Sequence, residues 1–206
     1  MVLDPVHIGL SVVAILLAFV VHEYAHGYVA YRLGDPTPKY EGRLSLNPLI
    51  HLDPIGSLVM LSSMIVSNGQ VVIGWAKPVQ FDTENLRHEF LDAAVIAAAG
   101  PVSNVLLAFL CGLPSLLGLV DPRFVLPLVA ANLGLGMFNL LPVPPLDGWK
   151  VLQGLLPRSL ARSMRGAEAR AGMVPLFVLL AVFWIFGDLF LSPLFAFLLK
   201  LFTGQS

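Results

Sequence analysis

Residues 6–30 read VHIGLSVVAILLAFVVHEYAHGYVA, an apolar run with no acid, lysine or arginine before Glu23. A helix that crosses a bilayer needs about 20 mostly apolar residues, and this run supplies them. A signal peptide would open with a basic segment, whereas Asp4 is the only formal charge ahead of His22. The run therefore reads as a retained membrane helix. Its far end carries His22, Glu23 and His26, ionisable groups where lipid makes them costly.

The rest of the chain has the same character. Of its 206 residues 57% are apolar and 12% charged, about half the charge of an ordinary soluble domain. Further apolar runs cover residues 55–66, 91–113, 124–146 and 173–202. The fold class expected is an α-helical integral membrane protein with a multi-helix transmembrane core. One membrane-embedded domain over residues 1–206 is expected, with a catalytic core at about 6–155 and a C-terminal hydrophobic helical segment at 173–203. A net charge of −1 with no dense basic arm excludes a nucleic-acid partner. Cys111 is the single cysteine, so an intrachain disulfide is impossible and a metal would need other ligands.

Basic residues set the orientation. Arg32, Lys39, Arg43, Lys77 and Arg87 form one group, and Lys150, Arg158, Arg162, Arg165 and Arg170 another. The positive-inside rule places both in the cytoplasm, with the 114–123 connection outside. Runs 6–30, 91–113 and 124–146 then cross alternately. Run 55–66 should not cross, because an extra pass would move the 150–170 segment outside; as a helix it would reach only about 18 Å of a roughly 30 Å core. A short buried or re-entrant element is expected. The 173–203 segment, interrupted by Gly187, Asp188 and Pro193, leaves its number of crossings open.

Between these helices, residues 40–46 alternate in part and residues 71–75 are β-branched with a glycine. Both suggest short membrane-associated β-strands between the first helix and the next full span. Non-helical backbone at membrane depth needs protein or a water-filled cavity around it, so these strands should border the active site.

His22-Glu23-Tyr24-Ala25-His26 matches H-E-x-x-H. Histidines four apart share one helical face about 6 Å apart along the axis, so two imidazole nitrogens can meet one zinc ion, while Glu23 can poise a water and pass its proton on. The bland reading is a pair of solvated helix-end histidines; the position at the end of an apolar run favours chemistry. A catalytic zinc wants a third protein ligand, and Asp147 closes run 124–146 at a similar depth by the topology above. Asp147 could instead only cap the segment that follows. Asn104, inside run 91–113, is either an interhelical hydrogen-bonder or a site residue. His51 and His88, in cytoplasmic segments, are outside candidates.

These residues resemble the site-2 protease family of intramembrane zinc metalloproteases. The resemblance rests on His22–His26, on residues 42–48 (GRLSLNP), 53–56 (DPIG), 75–79 (WAKPV), 100–104 (GPVSN) and 146–148 (LDG), in that order. It implies one Zn2+ per chain held by His22, His26 and Asp147, Glu23 as general base, and Asn139 helping to hold the substrate carbonyl. Asn104 would line the same cavity. It also implies that residues 40–46 or 71–75 offer an edge to an unwound substrate. No PDZ-type domain fits in this length, so the chain looks like a minimal catalytic core.

The function expected is hydrolysis of peptide bonds in or near transmembrane segments of membrane proteins, with the lipid bilayer as surroundings and the active site near the cytoplasmic side, in the cell membrane. A regulatory partner or a homo-oligomer stays open. The alternative is a zinc-binding membrane protein without proteolysis, a transporter or silent adaptor; the intact Glu23 speaks against the adaptor.

Overall fold

The computed structural model describes residues 5–66 and 74–204, without the side chains of 5–7 and 183–190. Helix α1 (Pro5–Leu33) is 29 residues long, about 43 Å. After it come the short α2 (Thr37–Tyr40) and α3 (Pro48–His51), α4 (Pro54–Val66) and a 3-10 turn at Thr83–Asn85. Then follow α5 (Glu89–Leu116), α6 (Pro122–Asn139), α7 (Asp147–Leu155), α8 (Arg158–Ala171) and α9 (Val174–Thr203).

Helix α5 is the hub, packed against α1, α6, α7 and α9, and α1 also meets α6. Small residues make this possible. Ala14 and Ala18 of α1 and Ala108 of α5 are buried, and small side chains let membrane helices approach closely. Two apolar clusters hold the ends. Ala30, Leu86, Ala93 and Ile96 pack with Phe81 at one, while Ala108, Val125, Val129 and Leu133 pack with Phe195 and Phe202 of α9 at the other.

The helical fold is borne out, and α1 from Ile8 to Leu33 and α5 are long and apolar enough to cross a membrane. The apolar run 124–146 becomes helix only to Asn139, because Pro142, Pro144 and Pro145 remove amide donors and clash with a helical turn. Helix α4 has 13 residues, too short to span by itself. The C-terminal segment is one helix with Pro193 inside it.

The expected strands are not found. Among the described residues there is no sheet, only an isolated antiparallel bridge between Leu52 and Ala76. Residues 40–46 fail as a strand for local reasons. Tyr40 closes α2, Gly42 turns the chain with φ +69°, and Arg43 bends back to hydrogen-bond Pro38 O through its backbone and Ile50 O through its guanidinium. Asn47 then caps α3 by accepting from Leu49 N. Of the second expected strand, residues 71–73 lie outside the described residues, and Gly74 and Trp75 are not in a strand.

Candidate metal centre

Helix α1 presents His22 and His26 one turn apart, with the rings edge to face and 4.6 Å between centroids. Asp147 opens α7 after the proline-rich segment, and Gly148 makes that placement possible. A Cβ there would lie 2.2 Å from Leu140 O, so only glycine lets the chain fold back so tightly. His22 Nε2 and His26 Nε2 are 3.0 Å apart. Asp147 Oδ2 stands 3.1 Å from the first and 3.2 Å from the second. Both histidines are buried.

The outer ring nitrogens fix the chemistry of the inner ones. His26 Nδ1 lies 2.7 Å from Ile96 O; a carbonyl only accepts, so Nδ1 carries the proton and Nε2 a lone pair. His22 Nδ1 lies 2.6 Å from Asn104 Oδ1 and takes the same tautomer. With both rings neutral, two lone pairs and a carboxylate oxygen thus converge, an arrangement that repels itself unless a proton or a metal cation sits between them. A tetrahedral zinc with bonds of about 2.0–2.1 Å separates its donors by about 3.3–3.4 Å, close to the spacing present, and two imidazoles with one carboxylate form an ordinary zinc ligand set. The residues fit the ion. Among the described residues no other three His, Cys, Asp or Glu side chains converge in this way.

Helix α5 crosses this centre at Gly100, where a Cβ would meet His26 Nε2 at 2.4 Å and His22 Cε1 at 2.7 Å. Glu23 is buried, and its Oε2 accepts from the backbone N–H of Val79 at 2.7 Å. The segment bearing Val79 is held over the site by Lys77 N donating to His51 O at 2.7 Å.

A model of the family described as Peptidase family M50 matches residues 117–183, a stretch that contains Asn139 and Asp147. A protein of Bacillus subtilis (strain 168), "Putative zinc metalloprotease YwhC", is 34% identical over 200 residues, 91% of this chain and 83% of its own length. The chain belongs to peptidase family M50. The M50 chain is also 31% identical over 175 residues to "Putative zinc metalloprotease Rip2" of Mycolicibacterium smegmatis, which covers 79% of this chain and 64% of that one. The Rip2 of Mycobacterium tuberculosis (strain H37Rv) is 31% identical over 183 residues, 84% and 68% of the two chains. No solved structure matches. Membership in the site-2 protease family, expected from the motifs, is thereby borne out, and with it a zinc metalloprotease, Zn2+ as cofactor and protein substrates.

Of the residues singled out in the sequence, the fold brings His22, His26, Asp147 and Asn104 together. Asn139, at the end of α6, makes no hydrogen bond to the three converging groups; its amide donates to Leu135 O at 3.0 Å. His51 is buried with its Nε2 at 2.8 Å from Ser45 O, and His88 pairs with Asp92 at the start of α5, so neither joins the centre. Sequence reasoning counted Val79 in the 75–79 motif but gave it no role; its contribution is a backbone amide that any residue but proline would supply. The same reasoning missed Asn132, fully buried beside Asn104. An asparagine inside an apolar run was the available signal.

Proposed function

We propose that this M50 protease is an intramembrane endopeptidase, cutting peptide bonds in or near transmembrane segments of membrane proteins, with His22, His26 and Asp147 as its zinc ligands. The observation that carries the reading is the convergence of His22 and His26, on a helix long and apolar enough to cross a membrane, with Asp147 at the start of α7. Zinc in such a site supplies Lewis acidity, polarising the scissile carbonyl and making water acidic enough to attack at neutral pH.

The chain's own residues do the rest. Glu23 acts as general base and then passes the proton to the leaving amine. The Val79 N–H holds one of its carboxylate oxygens and leaves the other for water. Asn139 offers its remaining amide hydrogen to the substrate carbonyl. A helical substrate keeps its carbonyls hydrogen-bonded, so cleavage requires local unwinding, and helix-weakening residues near the cut are expected. The whole chain forms one multi-pass domain in the cell membrane, with this centre near the cytoplasmic face.

The test is incubation of the purified full chain with membrane peptides, with and without a zinc chelator. Cleavage should need zinc and yield products cut inside the apolar segment. Glu23→Gln should abolish turnover with zinc still bound, and Asn139→Ala should lower it by about 10²–10³. Turnover retained by Glu23→Gln, or cuts confined to soluble peptides, would refute the reading.

A further inference from the structure

Asn132 of α6 takes no part in the hydrolysis described above, yet it is fully buried in the middle of the bundle. Its Nδ2 donates to Leu128 O at 2.9 Å, one turn back on its own helix. Its Oδ1 accepts from Asn104 Nδ2 at 2.9 Å. Asn104 spends its other amide hydrogen on Ala18 O at 3.0 Å, and its Oδ1 receives His22 Nδ1–H at 2.6 Å. Helices α1, α5 and α6 are joined by this one chain of side chains.

The chain has only one possible direction. Ala18 O and Leu128 O are backbone carbonyls and can only accept, so each asparagine must turn its NH2 towards its carbonyl. Both oxygens are then aimed towards His22. Turning the Asn104 amide over would set its oxygen against two acceptors, Ala18 O and Asn132 Oδ1, and face an N–H against His22 Nδ1. The imidazole would then move its proton to Nε2, and the lone pair aimed at Asp147 and His26 would be lost. Close packing keeps the amides in reach. A Cβ on Gly136, one turn beyond Asn132, would lie 3.1 Å from Pro101 O and 3.3 Å from Asn104 Cβ.

We propose that Asn132 is a positioning residue for the metal centre, locking through Asn104 the His22 tautomer whose Nε2 is free to bind zinc. The proposal rests on His22 being a ligand. Outer partners of metal-bound histidines are worth about 10- to 100-fold in metal affinity.

Zinc alone is the probe, titrated into the purified full chain against a chromophoric chelator, with 15N NMR of the histidine rings in the zinc-free protein. Asn132→Leu should weaken zinc binding about 10-fold or more and populate the Nε2–H tautomer of His22. Asn132→Asp should restore both, because a protonated carboxyl can donate to Leu128 O and accept from Asn104. An Asn132→Leu chain with lowered thermal stability but unchanged affinity and tautomer makes Asn132 a purely structural residue and overturns the proposal. So does an Nε2–H tautomer in the unaltered zinc-free protein, whatever the variants do. Unchanged zinc affinity in His22→Ala overturns the ligand assignment instead, which keeps the two failures apart.

Discussion

Residue 100 has to be glycine for the centre to exist. Helix α5 passes the imidazoles with a bare Cα at Gly100, and a methyl group there would lie 2.4 Å from His26 Nε2. The helix itself would welcome alanine by about 0.5–1 kcal/mol. Gly100→Ala should therefore fold while binding zinc at least about 10-fold more weakly, since one of the two proposed ligand rings must rotate away. Zinc competition read beside thermal unfolding separates the two effects; undiminished affinity would mean that α5 does not confine the histidines. At this scale the sequence was most legible where chemistry needs side chains at fixed spacing. His22, Glu23 and His26 declare themselves on one helix, and Asp147 by ending an apolar run. The role of Val79 could not be read, because a backbone amide leaves no trace in residue identity. Asn132 lay inside an apolar run, and a single polar residue there does not say which helix it faces.

Elements are set against one another by Asp35, just beyond α1. It is fully buried and accepts four hydrogen bonds: Thr37 N at 3.1 Å, Thr37 Oγ1 at 2.6 Å, Asp82 N at 2.7 Å and Asn85 Nδ2 at 2.8 Å. It thus ties the histidine-bearing helix to the turn that leads into α5, and so fixes the relative height of His26 and Gly100. Burial by itself would push this carboxyl up, but the donors from Thr37, Asp82 and Asn85 win and hold it below the usual carboxylate range. A group with a lowered folded pKa stabilises fully above its unfolded value, about 3.9, and loses that contribution as pH falls through the folded value. Asp35→Asn turns an NH2 against a buried donor and should cost about 1–3 kcal/mol at pH 7. Thermal unfolding of both chains from pH 7 to below 4 should show the gap closing as acid protonates the native aspartate; a gap constant with pH would remove the charge from the explanation. Helices were legible at this scale because apolar length and proline positions dictate them. The strands inferred at residues 40–46 were not, because partial alternation survives in a chain that a glycine turn and an Arg43 backbone bond fold back on itself.

At the scale of the molecule, what joins the zinc site to its surroundings is the direction of the helices. Helix α8 lies between α7 and α9 and carries Arg158, Arg162, Arg165 and Arg170 against one acid, Glu168. It is pinned to the centre's own end of the bundle: Arg165 Nη1 donates to Glu89 Oε1 at 2.6 Å at the start of α5, and Trp149 Nε1 of α7 donates to Glu168 Oε2 at 2.9 Å. Exposed pairs of this kind are worth at most about 1 kcal/mol, so their value here is geometric. They place the basic helix on the same side as Asp147, while the Gly118 turn between α5 and α6 lies one full α5 length, about 42 Å, from Glu89. By the positive-inside rule the expectation is a cytoplasmic α8 side and an external Gly118 side. Replacing the lone Cys111 by alanine and adding a cysteine at Ser163 or Leu119, both exposed, tests this directly. An impermeant maleimide should label position 119 in intact cells and position 163 only in inverted vesicles. Labelling of both from one side would break the crossing of α5, and with it the argument that puts the metal centre within reach of the cytoplasmic face.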